Sequence, residues 1–156
     1  MKKWIKYSLV AGGLFVLAAG LAFMIIFHLP YQKNQNRLNA ILNDILVANG
    51  YEYDNYFNEY QSDDLYYILA IKEADANIFV VINDENQLVA KRVNNRLEDK
   101  VFVDAFEEKY SVSPSALEVG YENSTMVAAL KYVGEEELIY AYYNLNTGEL
   151  IKAYIL

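Results

Sequence analysis

The chain has 156 residues, with 13 Lys or Arg against 21 Asp or Glu, one His and no Cys. Lys2, Lys3 and Lys6 precede Pro30 and every acidic residue follows it, so ten basic residues face twenty-one acidic ones beyond Pro30, a balance of −11. Such a surface excludes a nucleic-acid binder and argues against lying flat on anionic lipid, while the missing cysteine excludes disulfide staples, a lipidated cysteine and, with one histidine, an ordinary zinc site.

Residues 8–27, SLVAGGLFVLAAGLAFMIIF, hold no charge. As a helix they span about 30 Å, the thickness of the hydrocarbon core. Lipid offers no partner to backbone N–H and C=O groups, which demands a helix there. The three early lysines predict a cytoplasmic tail over 1–7 and an exported remainder, since the next basic residues are Lys33 and Arg37. A cleaved signal peptide is the alternative, with Ala18-Ala19-Gly20 as a weak cleavage site. The apolar run continues through Phe27, however, beyond the usual signal length of about 7–15 residues, and favours an uncleaved single-pass anchor.

After Pro30 a helix is expected up to Asn49-Gly50. Leu38, Ile41, Leu42, Ile45 and Leu46 form one apolar stripe, and the glycine tolerates the left-handed C-cap. Residues 51–64 read as a strand, or an irregular strand, running into an acidic loop. Strands follow over 65–73, 77–83 and 87–93, rich in β-branched and aromatic residues. Their short links impose antiparallel pairing. A second helix is expected over 97–110, with Val101, Phe102, Ala105 and Phe106 on one face. Strands over 116–121, 125–133, 138–144 and 149–155 complete the chain. Gly148 suits the left-handed position of the last hairpin. Asn123-Ser124-Thr125 has the form of a glycosylation sequon but reads as a hairpin turn.

The two halves resemble each other. Ile41, Leu42, Ile45 and Leu46 stand sixty residues before Val101, Phe102, Ala105 and Phe106. Asn83 and Lys91, which bracket NDENQLVAK, stand sixty-one before Asn144 and Lys152, which bracket NLNTGELIK. Two alignments at nearly one offset point to an internal repeat over 31–95 and 96–156. The fold class is then α+β, each unit a helix on an antiparallel sheet. Ile68, Ala70, Phe79, Val81, Ala128, Leu130, Ile139 and Ala141 are the expected strand residues beneath the helices. A unit of about 60 residues is marginal alone, so the two are expected to lean on each other.

Reactive groups are scarce. His28 sits at the membrane edge, and Ser111, Ser113, Ser115 and Ser124 fall in turn contexts. The paired carboxylates Asp63-Asp64, Asp84-Glu85, Glu107-Glu108 and Glu135-Glu136-Glu137 lie in turns or on a solvated helix face, unlike a lone buried catalytic acid. The expectation is a chain without enzymatic activity, catalytic residues, metal, cofactor or small-molecule substrate. Tyrosines are the remaining signal, fifteen in all. Most fill the core of a cysteine-free fold. Aromatic residues also dominate interface hot spots. The candidate partner-binding residues are Tyr51, Tyr53, Tyr56 and Tyr60 in the irregular segment, or Glu135, Glu136 and Glu137 in the acidic turn.

The segment LKYVGEEELIYAYYNLNTGELIKAYI, residues 130–155, resembles the closing strand–turn–strand of the cell wall elongation regulator TseB-like family. LYYILAIKE and NIFVVIN resemble strands of that family's first module. The resemblance implies two tandem cystatin-like (PepSY-like) modules behind one N-terminal transmembrane helix in a Gram-positive bacterium. It implies a non-catalytic extracellular regulator of peptidoglycan synthesis that binds a penicillin-binding protein. The alternative is a PepSY-like inhibitor or chaperone of an exported peptidase.

Overall fold

Proline has no N–H and its ring crowds the carbonyl four residues back, so a proline inside a helix forces a local adjustment. Pro30 lies inside one. In the computed structural model, which describes residues 13, 15–74 and 76–156, the helix is continuous over Phe15–Asn49. The turn ahead of the proline, Met24–His28, widens to a π-helix, and the Leu29 N–H donates to the Met24 carbonyl. This absorbs the missing bond, and α1 (Leu29–Asn49) carries on. The expected separation of an anchor ending at Phe27 from a helix starting after Pro30 is corrected by that turn. The helix is long and apolar enough to cross a membrane; signal sequences meet the same criterion. The expected cytoplasmic tail, residues 8–12 and 14 of the anchor, and Asp75 lie outside the described residues.

The chain divides into two units, Met1–Asp44 and Ile45–Leu156. The second holds both sheets. Glycine accepts positive φ without a Cβ clash, and Gly50, φ +67, turns the chain out of α1. β1 (Glu52–Gln61), β2 (Leu65–Glu73), β3 (Ala76–Asn83) and β4 (Leu88–Val93) then form an antiparallel sheet in chain order. α2 (Asp99–Tyr110) follows, and β5 (Ala116–Glu122), β6 (Thr125–Val133), β7 (Leu138–Asn144) and β8 (Leu150–Ile155) form the second sheet. Residues 52–61 are thus a strand, made irregular by a bulge between Tyr53 and Phe57 with Asn55 at φ +56. Asn123 and Ser124 both have positive φ and join Glu122 to its partner Thr125, the two-residue hairpin expected of that sequon.

All eight expected inward residues are buried in one core that spans both sheets. Phe102 and Phe106 of α2 belong to it, and the Phe102 ring lies 6.4 Å from that of Tyr143. The expectation for the first half needs correction. Ile68, Ala70, Phe79 and Val81 share this core with the second sheet and α2, and no residue of α1 is among them. Leu69, Ile71, Val80 and Ile82, on the opposite face of the same strands, are also buried. β2 and β3 therefore read as unbroken apolar runs, as strands covered on both faces do.

The repeated hairpin is real but slides by one residue. The Asn83 N–H donates to the Gln87 carbonyl, whereas the Asn144 N–H donates to the Glu149 carbonyl, so the second loop is one residue longer. Both hairpins carry a bulge just before the asparagine, at Val81/Ile82 and Tyr142/Tyr143. Lys91 consequently pairs with Val80, but Lys152 pairs with Tyr142. Side chains alternate faces along a strand. The two lysines, sixty-one apart in sequence, therefore emerge on opposite faces of their sheets.

A core drawn from both sheets predicts that residues 31–95 and 96–156, expressed separately, show no cooperative thermal transition by circular dichroism. Two sigmoidal melts would contradict a shared core.

Candidate functional site

An edge strand leaves every second backbone N–H and C=O without a partner, and burying such groups unpaired is costly. β5 is the first edge of the second sheet, and side chains from the first sheet meet it. Alternation puts Tyr56, Asn58 and Tyr60 on one face of β1. The Val119 N–H donates to Tyr56 Oη at 3.0 Å, and Asn58 Nδ2 donates to the Val119 carbonyl at 3.2 Å. One residue of β5 thus has both outward groups satisfied by β1. The Tyr66 and Tyr121 rings meet edge-to-face beside this seam, 5.3 Å apart at 80°.

The seam continues through Tyr60. Its ring lies where a Cβ on Gly120 would stand, with ring carbon Cζ only 2.3 Å from that position. Glycine is required there for close approach, not for its φ. Tyr60 Oη donates to Glu122 Oε1 at 2.7 Å. The other carboxylate oxygen of Glu122 is ion-paired with Lys152 Nζ. Glu122 is the buried charged residue among those described, at 9% exposure. Burying a carboxylate demands such full pairing, because removing one partner strands the other's charge. Lys152 Nζ also lies 4.6 Å from the centroid of the Tyr142 ring and 5.5 Å from that of Tyr154, within cation–π range. Its hydrogen bond to Glu122 holds the ammonium above its ordinary titration range. Burial first, and the bond to Glu122 second, push the Tyr60 phenol far upward.

A cleft of about 300 Å³ opens beside the seam, on the face of the second sheet away from α2. The sheet register explains it. Glu118, Ala129, Tyr142 and Lys152 form one cross-strand row, and Ala116, Lys131, Tyr140 and Tyr154 the next. The alanines leave a hollow, and Tyr140, Tyr142 and Tyr60 wall it. Lys131 Nζ lies 5.4 Å from the Tyr140 ring centroid. The cleft thus offers aromatic faces together with two acids, Glu59 and Glu118, and one base, Lys131. Alternation at Tyr140, Tyr142 and Tyr143 already required an outward tyrosine; the hollow depends on Ala116 and Ala129 coming into register, which sequence alone does not show.

The candidate partner residues fall into three places. Tyr56 and Tyr60 are built into the seam. Tyr51 is half-buried with Lys91 Nζ 5.2 Å over its ring, and Tyr53 is exposed. Glu135, Glu136 and Glu137 are exposed in the turn between β6 and β7, closed by the Gly134 N–H donating to the Glu137 carbonyl. Among the described residues no three His, Cys, Asp or Glu side chains gather in a metal-holding group.

A scan against known protein families finds no match, and a search of curated proteins finds none. Among solved structures, a crystal structure of a candidate lipoprotein from Clostridium difficile 630 is similar. The identity is 6% and the TM-score 0.41, over 81% of this chain and 92% of that one. A likeness at that level carries no conclusion about this chain.

Two predictions follow from the seam. Gly120→Ala forces the buried Tyr60 ring to move and is expected to cost about 1–3 kcal/mol, as overpacking does; an unchanged urea midpoint would contradict the close approach. The second concerns alkaline pH. Tyr60 and Lys152 are shifted upward, and burial pushes Tyr143 up to about 12. Each shift supplies stability that is complete below the unfolded value, 10.0 for tyrosine and 10.5 for lysine, and is lost as pH rises through the folded one. The thermal midpoint should therefore hold to about pH 9 and fall beyond pH 10, less steeply in Tyr60→Phe. Equal slopes in the two proteins would remove Tyr60 from the account.

Proposed function

We propose that this chain is a non-catalytic regulator of cell wall elongation, held at the outer face of the membrane by its apolar helix and acting by binding a penicillin-binding protein. The observation that carries this reading is how the polar groups of the seam are used. Tyr60, Glu122 and Lys152 are spent on one another and on joining two sheets, so the work left to the surface is contact. The basic residues before the apolar segment favour a cytoplasmic N-terminus and an exported scaffold. The resemblance of residues 130–155 to the TseB-like family supplies the class of partner.

The same reading makes each sheet, with the helix before it, a cystatin-like module. In the second, Phe102 and Phe106 of α2 are buried with Ala128, Leu130, Ile139 and Ala141. In the first, Leu69, Ile71, Val80 and Ile82 occupy positions corresponding to the helix-facing set, and Ile45 at the end of α1 is buried as well.

The test is capture from crosslinked membranes of cells carrying the tagged full chain. A penicillin-binding protein should be recovered. Recovery of a peptidase in its place, or release of fragments when the purified protein is incubated with peptidoglycan, would overturn the proposal.

A further inference from the structure

The two sheets have four edges, and three are protected. β5 is met by Tyr56 and Asn58. β1 is bulged between Tyr53 and Phe57 and carries Glu52, Asp54 and Glu59, two recognised ways of blunting an edge. β4 carries Arg92, whose Nη1 donates to the Lys91 carbonyl at 2.9 Å and so covers a backbone group of that edge. β8 has none of these devices beyond its first bulge. It pairs with β7 alone within its sheet. Its one charge, Lys152, is drawn back onto the sheet face by Glu122.

The direction of the free groups on β8 can be assigned. Leu138 and Leu156 exchange both backbone hydrogen bonds. In an antiparallel pair, bonded and non-bonded positions alternate. Tyr154 and Lys152 therefore also bond inward to β7, and the N–H and C=O groups of Ala153 and Ile155 point away from the sheet. Ile151, Tyr154 and Ile155 are about half exposed or more, at 49%, 50% and 60%. Carboxylates bracket the strand. Glu149 is exposed just ahead of it, and Glu135, Glu136 and Glu137 stand in the turn leading to Leu138, the partner of Leu156. A strand laid beside β8 would run about two strand spacings, roughly 10 Å, from that turn, within reach of a long basic side chain.

We propose that β8 takes an extended segment of a partner protein as a fifth strand of the second sheet, and that this segment alternates apolar residues with Lys or Arg. The backbone ladder supplies affinity, and alternate side chains supply specificity. A second copy of this chain is a poorer occupant, since it would bring its own carboxylates against those flanking β8. The inference rests on the partner-binding reading above and names the surface it uses.

The test uses the full chain in nanodiscs and a synthetic alternating Val–Lys peptide. An alternating Val–Glu peptide and an N-methylated Val–Lys peptide serve as controls. Val–Lys should bind and slow hydrogen exchange at the Ala153 and Ile155 amides, while neither control does so. Ala153→Pro removes an outward N–H and leaves the ladder to β7 intact. It should weaken Val–Lys binding at least about tenfold, as should Ile155→Lys, with circular dichroism unchanged. Charge reversal at Glu135, Glu136 and Glu137 should also weaken Val–Lys binding. Absence of Val–Lys binding, protection at β4, or indifference to both β8 substitutions would overturn the proposal. So would wild-type self-association in sedimentation that Ala153→Pro abolishes. Crosslinked capture separates this inference from the function: a penicillin-binding protein still captured by Ala153→Pro removes the β8 surface alone, whereas no capture by the wild type removes the functional reading.

Discussion

Everything beyond the individual sheets depends on how the edge of β5 is covered. An uncovered edge offers a template to other chains. A buried edge without partners costs about 1–3 kcal/mol for each orphaned group. Here Val119 gives its N–H to Tyr56 and accepts from Asn58, while Tyr60 passes over Gly120 to reach Glu122. Side chains of one strand thus stand in for a missing neighbour strand. The contact is directional, so it fixes the register between sheets as well as their attraction. The apolar core then closes behind it, with Ile68 and Phe79 in the same cluster as Ala128 and Phe102.

This arrangement gives the two halves different tasks from similar sequences. The face of the second sheet that carries Ile139 and Ala141 lies with Phe102 and Phe106. Its opposite face carries Tyr140, Tyr142 and Lys152, and opens a cleft. In the first sheet both faces of β2 and β3 are buried, so no comparable row of polar residues is possible there. The extra residue in the second hairpin accounts for the contrast between the lysines. It turns Lys152 toward Glu122 and Tyr142, whereas Lys91 pairs with Glu73 at 3.0 Å. A one-residue slip exchanges the faces of everything beyond it, and here it supplies the cation that neutralises the buried carboxylate.

Much of the local structure was legible in the sequence. Apolar runs located β2, β3, β6 and β7, and the left-handed residues Gly50 and Gly148, φ +67 and +74, lie where the turns were expected. What escaped depends on long-range contact. Tyr56 and Tyr60 look like partner-facing tyrosines, because their partners Val119 and Glu122 lie 63 and 62 residues away. Ile68-Leu69-Ala70-Ile71 has no polar alternation, so period-two reasoning cannot say which side meets which neighbour. The two similar Asn-to-Lys hairpins were visible, but an offset of sixty-one hides the slip, since the asparagine and lysine match in sequence while their strand partners do not. Pro30 was a plausible break, and only the π turn before it shows why the helix continues.

The seam is the joint between two sheets that would each be marginal alone. Native-state hydrogen exchange tests this most directly, because it reads the opening free energy of each amide separately. The Val119 amide should be protected as strongly as Ile68 in the first sheet and Ala128 in the second, all three exchanging through the same global opening. If Val119 exchanges freely, or if Ile68 and Ala128 open with clearly different free energies, the sheets are independent and the seam is only a contact.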